Sequence, residues 1–184
     1  MFRKKEKGMA EYILPIMLIA MVCLIALLSY RLRVIKLTQV YVEDGLVSAN
    51  LACSIADLQE YGKSHEIHIP DFDQAYETYW AALQANLDLT ATGDPKDQRL
   101  IAGPVTVEEF TIYQVSGNDV VKICRTPAQT ISHTYPGSKG VLKTPDGKQI
   151  ESTTVYSRIG FDIRGYRSEQ FYVQKENSVD IVNE

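Results

Sequence analysis

The sequence predicts an α+β protein: a long N-terminal helix packed on a small head that contains an antiparallel sheet of about four strands. The first observation behind this prediction is an uncharged apolar run from Tyr12 to Tyr30, followed by apolar residues at helical spacing as far as Leu58. The second is a change after Gly62 to alternating segments separated by turn residues. The expected divisions are residues 1–8 as a basic leader, 9–62 as the long helix and 63–184 as the head.

The apolar run is long enough to cross a membrane once. Its 19 residues from Tyr12 to Tyr30 would span about 28 Å as a helix, close to the ~30 Å hydrocarbon core of a bilayer. A cleavable secretory signal has a shorter apolar region of about 7–15 residues and a small-residue cleavage site, which "LLSYRLR" does not offer. Pro15 suits the first turn of a helix that begins near Ala10 to Tyr12. We therefore predict a single-pass segment, contacting membrane lipid, that stays with the protein.

Charge bears on orientation and on partners. The protein has a net charge of −4, and from Arg31 onward it has 15 Lys and Arg residues against 21 Asp and Glu residues. Basic residues flank the apolar run on both sides, so the positive-inside rule alone does not decide its orientation. The long acidic remainder favours an N-terminus in the cytoplasm and a head outside. An acidic head also argues against nucleic acid as a partner, because nucleic-acid binding needs a basic face.

The helix is expected to continue beyond the membrane as an amphipathic segment. Apolar residues recur there at multiples of three and four, and a polar set on another face follows the same period. Gly45 is a weak point, costing about 1 kcal/mol relative to Ala, and Gly62 is the expected terminator. The predicted apolar stripe is Leu37, Val40, Tyr41, Val47, Leu51, Ile55 and Leu58, and the polar set is Lys36, Gln39, Glu43, Asn50, Ser54 and Asp57.

The head is predicted to begin with a second helix and to continue as strands. Asp71 or Asp73 is expected to cap this helix, whose buried stripe is Phe72, Tyr76, Tyr79 with Trp80, Leu83 and Leu87. The predicted strands are "VTVEEFTIYQV", "DVVKICRT", "QIESTTVYSRIGFDIRG" and "EQFYVQK", the first two joined by a turn at "SGND". "TYPGSKGVLKTPDGKQ" is expected to be a mobile loop. Four tyrosines are expected at the helix–sheet interface: Tyr76, Tyr79, Tyr113 and Tyr156.

The N-terminus resembles that of type IV pilin-like proteins. A basic leader, Gly8, Glu11 followed by Tyr12, and a continuous apolar helix occur in that order, and "EYILP" with Pro15 particularly resembles the TadE-like pseudopilins of tight-adherence pili. The resemblance covers about 60 residues as an architecture and about eight as a motif. It implies a pilin-like fold, cutting by a prepilin peptidase between Gly8 and Met9, and other pilin or pseudopilin subunits as partners.

Glu11 and Tyr12 are the candidate residues for setting the register between subunits. An acidic side chain at the membrane centre costs about 2.5–3.5 kcal/mol on insertion scales and less near the interface, so Glu11 is expected to have a partner. The resemblance implies that this partner is the new amino group of a neighbouring Met9, in a minor subunit that initiates or caps a filament.

An alternative interpretation of the same residues is a permanent anchor. Glu11 would then lie at headgroup level beside Lys7, one helical turn away, and the uncleaved protein would display an extracytoplasmic binding or scaffold domain. A cut after Gly8 would make Glu11 the third residue of the mature chain, whereas the family glutamate is usually the fifth.

No catalytic, cofactor or metal site is predicted. His65 and His68 lie in an extended "HEIH" segment and would point to opposite sides, with no third ligand nearby in the sequence. No nucleophile elbow, phosphate-binding loop or metalloprotease motif is found. We therefore expect a structural protein rather than an enzyme. Cys23 lies in the apolar run, and whether Cys53 and Cys124 form a disulfide is not decided by their spacing.

Overall fold

The computed structural model describes residues 3–53, 67–164 and 169–181, with side chains from Tyr12 onward and without that of Arg164. The chain divides into two compact units, Met1–Leu37 and Thr38–Glu184. The described elements confirm the α+β class. They are the helices α1 (Arg3–Ala52) and α2 (Phe72–Asn86) and the strands β1 (Thr106–Ser116), β2 (Asp119–Arg125), β3 (Thr130–Tyr135), β4 (Thr154–Arg164) and β5 (Gln170–Asp180).

The first unit consists of the N-terminal part of α1. The helix begins at Arg3, so the predicted start near Ala10 to Tyr12 is wrong, and Pro15 lies inside the helix rather than in its first turn. Arg, Lys and Glu are good helix formers, so the leader residues extend the helix backwards at the cost of one hydrogen bond at the proline. The predicted end of the helix near Gly62 lies outside the described residues.

In the described ranges the sheet has five strands in the order β3-β2-β1-β4-β5, and every neighbouring pair is antiparallel. The predicted hairpin joins β1 to β2, with Ser116 opposite Asp119 and Gly117 at φ 61°. The fifth strand, β3, was not predicted. It lies at the edge of the sheet and its side chains are mostly exposed, so its sequence "TISHTY" lacks the regular apolar alternation of a half-buried strand.

The two faces of the sheet carry separate hydrophobic clusters. One face packs against α2 and against residues of α1 from Val42 onward; the cluster includes Leu46, Tyr79, Leu83, Phe110, Ile159 and Phe161. The other face carries a smaller cluster of Tyr113, Val115, Val120, Ile150 and Tyr156. Tyr113 and Tyr156 are therefore buried, but on the face away from the helices, and their predicted position at the helix–sheet interface is wrong.

The segment expected to be a mobile loop packs against this second cluster through Leu142. Ile150, the residue that follows this segment and was predicted to lie in the next strand, is fully buried there. Its N–H donates to the Leu142 carbonyl at 3.0 Å, and its carbonyl accepts from the Gly140 N–H at 2.7 Å. Serine and aspartate side chains tie the loop to the sheet as well, since Ser178 Oγ donates to Asp146 Oδ2 at 2.6 Å. The predicted turns are present, and the loop packs on the sheet because Leu142 packs against this cluster and the adjoining Ile150 belongs to it, whereas Val141 is 75% exposed.

The buried face of α1 differs from the predicted stripe. Leu37, Val40 and Leu51 are 58%, 55% and 52% exposed. The buried positions are Thr38, Val42, Gly45, Leu46, Ala49, Asn50 and Cys53. They follow the same helical period on the other side of the helix. The sequence of α1 therefore contains two equally regular stripes, and periodicity does not show which of them is buried. The buried stripe contains the small residues that let α2 approach, while Ile55 and Leu58 lie outside the described residues.

The second helix follows the prediction. Asp71 is its N-cap, and the Asp71 carboxylate accepts from the N–H groups of Asp73 and Gln74 at 2.9 and 3.0 Å. Tyr79 and Leu83 are fully buried. Local hydrogen bonding and apolar spacing were therefore sufficient to locate this helix.

Candidate functional site

The apolar half of α1 is the first candidate for function. Every side chain from Tyr12 to Tyr30 is exposed, and the segment has no charged residue. Among the described residues, one helical stretch, Tyr12–Ala52, is long and apolar enough to cross a membrane, with a mean hydropathy of 2.6 in its most apolar window. Exposed apolar side chains of this density are unfavourable in water. The segment is therefore compatible with a single-pass membrane anchor.

The predicted processing and register residues all lie within this helix. Gly8, Met9 and Glu11 are helical in their backbone, and Tyr12 is 74% exposed. Pro15 follows Glu11 by four positions, which is the spacing of an α-helical hydrogen bond. Because proline has no N–H, the Glu11 carbonyl lacks its usual helical donor. At the start of the apolar run, the backbone carbonyl without a helical donor therefore belongs to Glu11, the same residue that provides the acidic side chain.

The second candidate is a charged cluster on the sheet face away from the helices. Arg158 Nη2 lies 3.0 Å from Glu109 Oε2, and other atoms of its guanidinium lie 3.7 Å from Glu108 and 3.9 Å from Glu176. Lys122 Nζ adds a second contact to Glu109 at 3.8 Å. Glu109 is only 9% exposed, so its charge depends on these cations. The carboxylates are occupied by protein cations, which is the arrangement of a structural ion-pair network.

Two tyrosine hydroxyls border this network. Tyr156 Oη donates to Glu176 Oε2 at 2.6 Å, and the Tyr172 hydroxyl donates to Glu108. Burial and the bond to Glu176 raise the pKa of Tyr156, and the bond to Glu108 raises the pKa of Tyr172. Both phenols therefore stay protonated at neutral pH and act as hydrogen-bond donors rather than as acids or bases.

A buried polar cluster in the hydrophobic core was missed by sequence reasoning. Asn50 is fully buried; its Nδ2 donates to the Asn177 carbonyl at 3.2 Å and its Oδ1 accepts from Ser157 Oγ at 2.7 Å. Asn50 thereby connects α1 to β4 and β5. Its helical spacing had placed it on the polar face, and no local signal distinguishes a solvated asparagine from one with buried partners.

Cys53, which directly follows α1, and Cys124 of β2 are both free. Cys53 is buried in the helix-side cluster, where its thiol donates to the Asn50 carbonyl at 3.1 Å, and burial raises the pKa of Cys53 to about 12. Cys124 is paired in register with Thr111 on the other face of the sheet. Since the sheet separates them, they do not form a disulfide.

The remaining candidate residues form no site in the described parts of the chain. His65 lies outside the described residues, His68 is exposed, and His133 packs against the ring of Tyr135 at 4.6 Å. Residues 12–53, 67–163 and 169–181 hold no group of three His, Cys, Asp or Glu side chains arranged to bind a metal ion.

Comparisons with protein-family models, with curated proteins and with solved structures found no match. The resemblance to TadE-like pseudopilins therefore stays a hypothesis that depends on the N-terminal motif.

Proposed function

We propose that this protein is a minor pilin or pseudopilin of a tight-adherence, type IV-like pilus or secretion system. It would be inserted in the cytoplasmic membrane by one helix, with its N-terminus in the cytoplasm and its head outside, and would join a surface filament. The observation that carries the proposal is the motif Gly8, Glu11 and Tyr12 at the start of an apolar segment whose described side chains are all exposed. The proposed role is structural, without catalysis or a cofactor.

The proposed mechanism is lateral packing of such helices in a filament. Leaving the bilayer exposes apolar side chains, which neighbouring helices would cover. Cutting after Gly8 removes the basic leader and creates a positive amino group at Met9. Glu11 offers a carboxylate to that group from a neighbouring subunit, and the Glu11 carbonyl released by Pro15 is a second acceptor at the same level. This pairing would set the register between subunits.

A minor role is proposed because of the size of the head. Abundant subunits of tight-adherence pili are usually much shorter than 184 residues, so a chain with a five-stranded head fits the start or tip of a filament better than its shaft. The partners would be other pilin or pseudopilin subunits and the prepilin peptidase.

Processing is tested by intact mass spectrometry of the membrane-extracted protein, expressed with and without a prepilin peptidase. We expect the mass of residues 1–8 to be lost only when the peptidase is present. Gly8→Leu is expected to retain the leader under the same conditions. Wild-type protein of unchanged mass beside an active peptidase, verified on a known substrate, would contradict the proposal.

The role of Glu11 is tested by filament incorporation. Glu11→Ala should insert into the membrane as the wild type does but enter filaments much less, because the Met9 amino group loses its counter-charge. Glu6→Ala is the matched control, because it removes an acid from the leader and should not affect assembly. Normal assembly of Glu11→Ala would remove the assigned role.

The second candidate function is an uncleaved single-pass anchor that displays an extracytoplasmic binding or scaffold domain. Two observations favour it: α1 runs without interruption from Arg3 through Gly8 and Met9, and Glu11 would be the third rather than the fifth residue after a cut. This candidate predicts an unchanged mass in the processing experiment.

A further inference from the structure

A groove in the head lies between α2, the beginning of β1 and the turn between β2 and β3. Its volume is about 510 Å³, and it is lined by Tyr76 and Trp80 of α2, by residues 105–107 and Arg125, by the turn residues 126–129 and by Thr130 at the start of β3. This volume is in the range of binding sites for small ligands, about 300–1,000 Å³. We call it the β1 groove.

One wall of the β1 groove is a strand edge that has no pairing partner among the described residues. The pairing of β1 with β2 ends where Phe110 lies opposite Arg125, although β1 begins four residues earlier at Thr106. The chain then turns away, because the Thr126 N–H donates to the Gln129 carbonyl at 2.9 Å and closes the turn into β3. Within the described ranges, the segment Thr106–Glu109 therefore pairs with β4 on one side only. Such an edge offers backbone N–H and C=O groups to an added strand.

Arg125 places a positive charge in the same groove. Its guanidinium lies over the Tyr76 ring, 4.1 Å from the ring centroid, and its Nη1 lies 3.1 Å from Asp73 Oδ1. The Asp73 side chain is 81% exposed. The contact with Asp73 therefore shows that a carboxylate can bind this guanidinium. Because an ion pair this exposed contributes little free energy, a ligand can displace Asp73 from Arg125. A ligand carboxylate that binds both arms of the guanidinium would be held more strongly than Asp73 is.

We propose that the β1 groove binds an extended peptide segment that carries a carboxylate side chain. The peptide backbone adds to the edge of β1 at Thr106–Glu109, its carboxylate replaces Asp73 on Arg125, and its apolar side chains contact Trp80 and Val107. The strand edge is what favours a peptide over a sugar, and Arg125 is what selects an acidic one. This binding activity goes beyond the proposed pilin role and is independent of it.

Trp80 makes the proposal directly testable because it is the only tryptophan in the chain. Full-length protein in detergent micelles is titrated with the peptide acetyl-Thr-Val-Glu-Val-Thr-amide, and its tryptophan fluorescence is recorded under selective excitation. The matched probe replaces Glu by Gln. We expect the fluorescence to change saturably with both peptides. The Glu peptide should bind about tenfold more tightly than the Gln peptide, because it gains one charge-assisted hydrogen-bonded pair with Arg125.

Two variants of the protein should change its affinity for the Glu peptide in opposite directions. Arg125→Gln should abolish the preference for the Glu peptide, whereas Asp73→Asn should bind it more tightly, because the competing carboxylate is gone. Asp73→Asn keeps the helix cap, which uses the backbone N–H of residue 73 and the side chain of Asp71. Arg99→Gln is the control, since Arg99 does not line the groove and its side chain is 87% exposed.

Hydrogen exchange locates the bound peptide. Amides of Thr106–Glu109 should exchange more slowly in the presence of the Glu peptide. Equal affinity for the two peptides, weaker binding by Asp73→Asn, or no added protection at Thr106–Glu109 would each overturn the proposal. A fluorescence response to maltotetraose without a response to either peptide would overturn it in favour of a sugar site.

Discussion

Asn50 is the polar residue on which the packing of three elements depends. It is fully buried between α1, β4 and β5 and has hydrogen-bond partners for both ends of its amide. A buried amide of this kind adds little net stability while its partners are present, but the groups left behind by its removal are costly. Asn50 therefore fixes the rotation of the helix relative to the sheet more than it adds binding energy.

Removing Asn50 and Ser157 separately and together tests this role. We expect Asn50→Leu to lower the free energy of unfolding by about 2–3 kcal/mol and Ser157→Ala by about 1–2 kcal/mol, because each leaves a buried polar group unpaired. The double variant should lose less than the sum of the two. Chemical denaturation followed by circular dichroism measures these changes, with exposed Ser48→Ala expected within about 0.5 kcal/mol of the wild type. Full additivity would contradict the coupling.

The buried Cys53 thiol makes stability depend on alkaline pH. Burial raises its pKa to about 12, whereas a thiol in the unfolded chain titrates near 8.5. The folded state thus holds a proton that the unfolded state releases. The contribution is complete below about pH 8.5 and is lost as the pH rises towards 12, by about 1.4 kcal/mol per pH unit.

Denaturation between about pH 9 and 10 measures this effect. Cys53→Ala should be less stable than the wild type near pH 7, because it leaves a cavity, but its stability should fall less steeply with pH. Cys124→Ala should change the slope less, because the Cys124 thiol is only partly buried, whereas that of Cys53 is buried. Above pH 10, buried Tyr79 and Tyr156, whose pKa values are also raised by burial, add to the loss. Equal slopes for wild type and Cys53→Ala would contradict the assignment.

At the scale of elements, Gly45 determines how closely α1 and α2 pack. A Cβ atom at position 45 would lie 2.5 Å from Leu87 Cδ2 and 3.0 Å from Leu87 Cγ. Gly45, which from sequence is only a weak point in the helix, is therefore the contact point for the end of α2. The loss of helix propensity, about 1 kcal/mol, is offset by this close approach.

Gly45→Ala tests the contact. We expect a net destabilisation of about 1–2 kcal/mol, because overpacking outweighs the gain in helix propensity. Leu87→Ala alone should cost about 2–5 kcal/mol through the cavity that it leaves. The pair Gly45→Ala with Leu87→Ala should cost less than the sum, since the new methyl group enters that cavity. Gln39→Ala on the exposed side of α1 is the control, and a stabilised Gly45→Ala protein would refute the argument.

The elements differed in how well sequence reasoning predicted them. The helix α2 was predicted with its cap because Asp71 bonds to N–H groups two and three residues away. β3 was missed because an exposed edge strand needs no apolar alternation. The stripe on α1 was assigned to the wrong side, because two regular stripes exist and only contact with the sheet decides between them. The β1 groove could not be predicted, since its walls come from segments far apart in the sequence.

At the scale of the whole molecule, the two compact units have different side-chain environments. The described side chains from Tyr12 to Arg33 are exposed, whereas the buried hydrophobic residues of the core all lie from Val42 onward. The second unit, Thr38–Glu184, therefore contains the complete described core, and its share of α1 supplies one wall of it.

Truncation tests this division. A chain that begins at Thr38 should fold cooperatively and be recovered without detergent, whereas the full chain should fractionate with membranes. A chain that begins at residue 54 should not fold, because it lacks Val42, Leu46, Ala49 and Asn50 from the core. Thermal circular dichroism and membrane fractionation measure both outcomes. A folded 54–184 chain would show that α1 is dispensable for the head.

The sequence by itself determined the α+β class, the apolar segment from Tyr12 to Tyr30 and the position of α2. These features depend on local composition, on residue period and on hydrogen bonds between near neighbours. Only the tertiary structure decided which side of α1 is buried, that Asn50 belongs to the core, that Cys53 and Cys124 lie on opposite faces of the sheet, and that the start of β1, beside Arg125, pairs on one side only within the described part of the chain. Each of these depends on contacts between surfaces distant in the chain, where shape and partner rather than residue type decide the outcome.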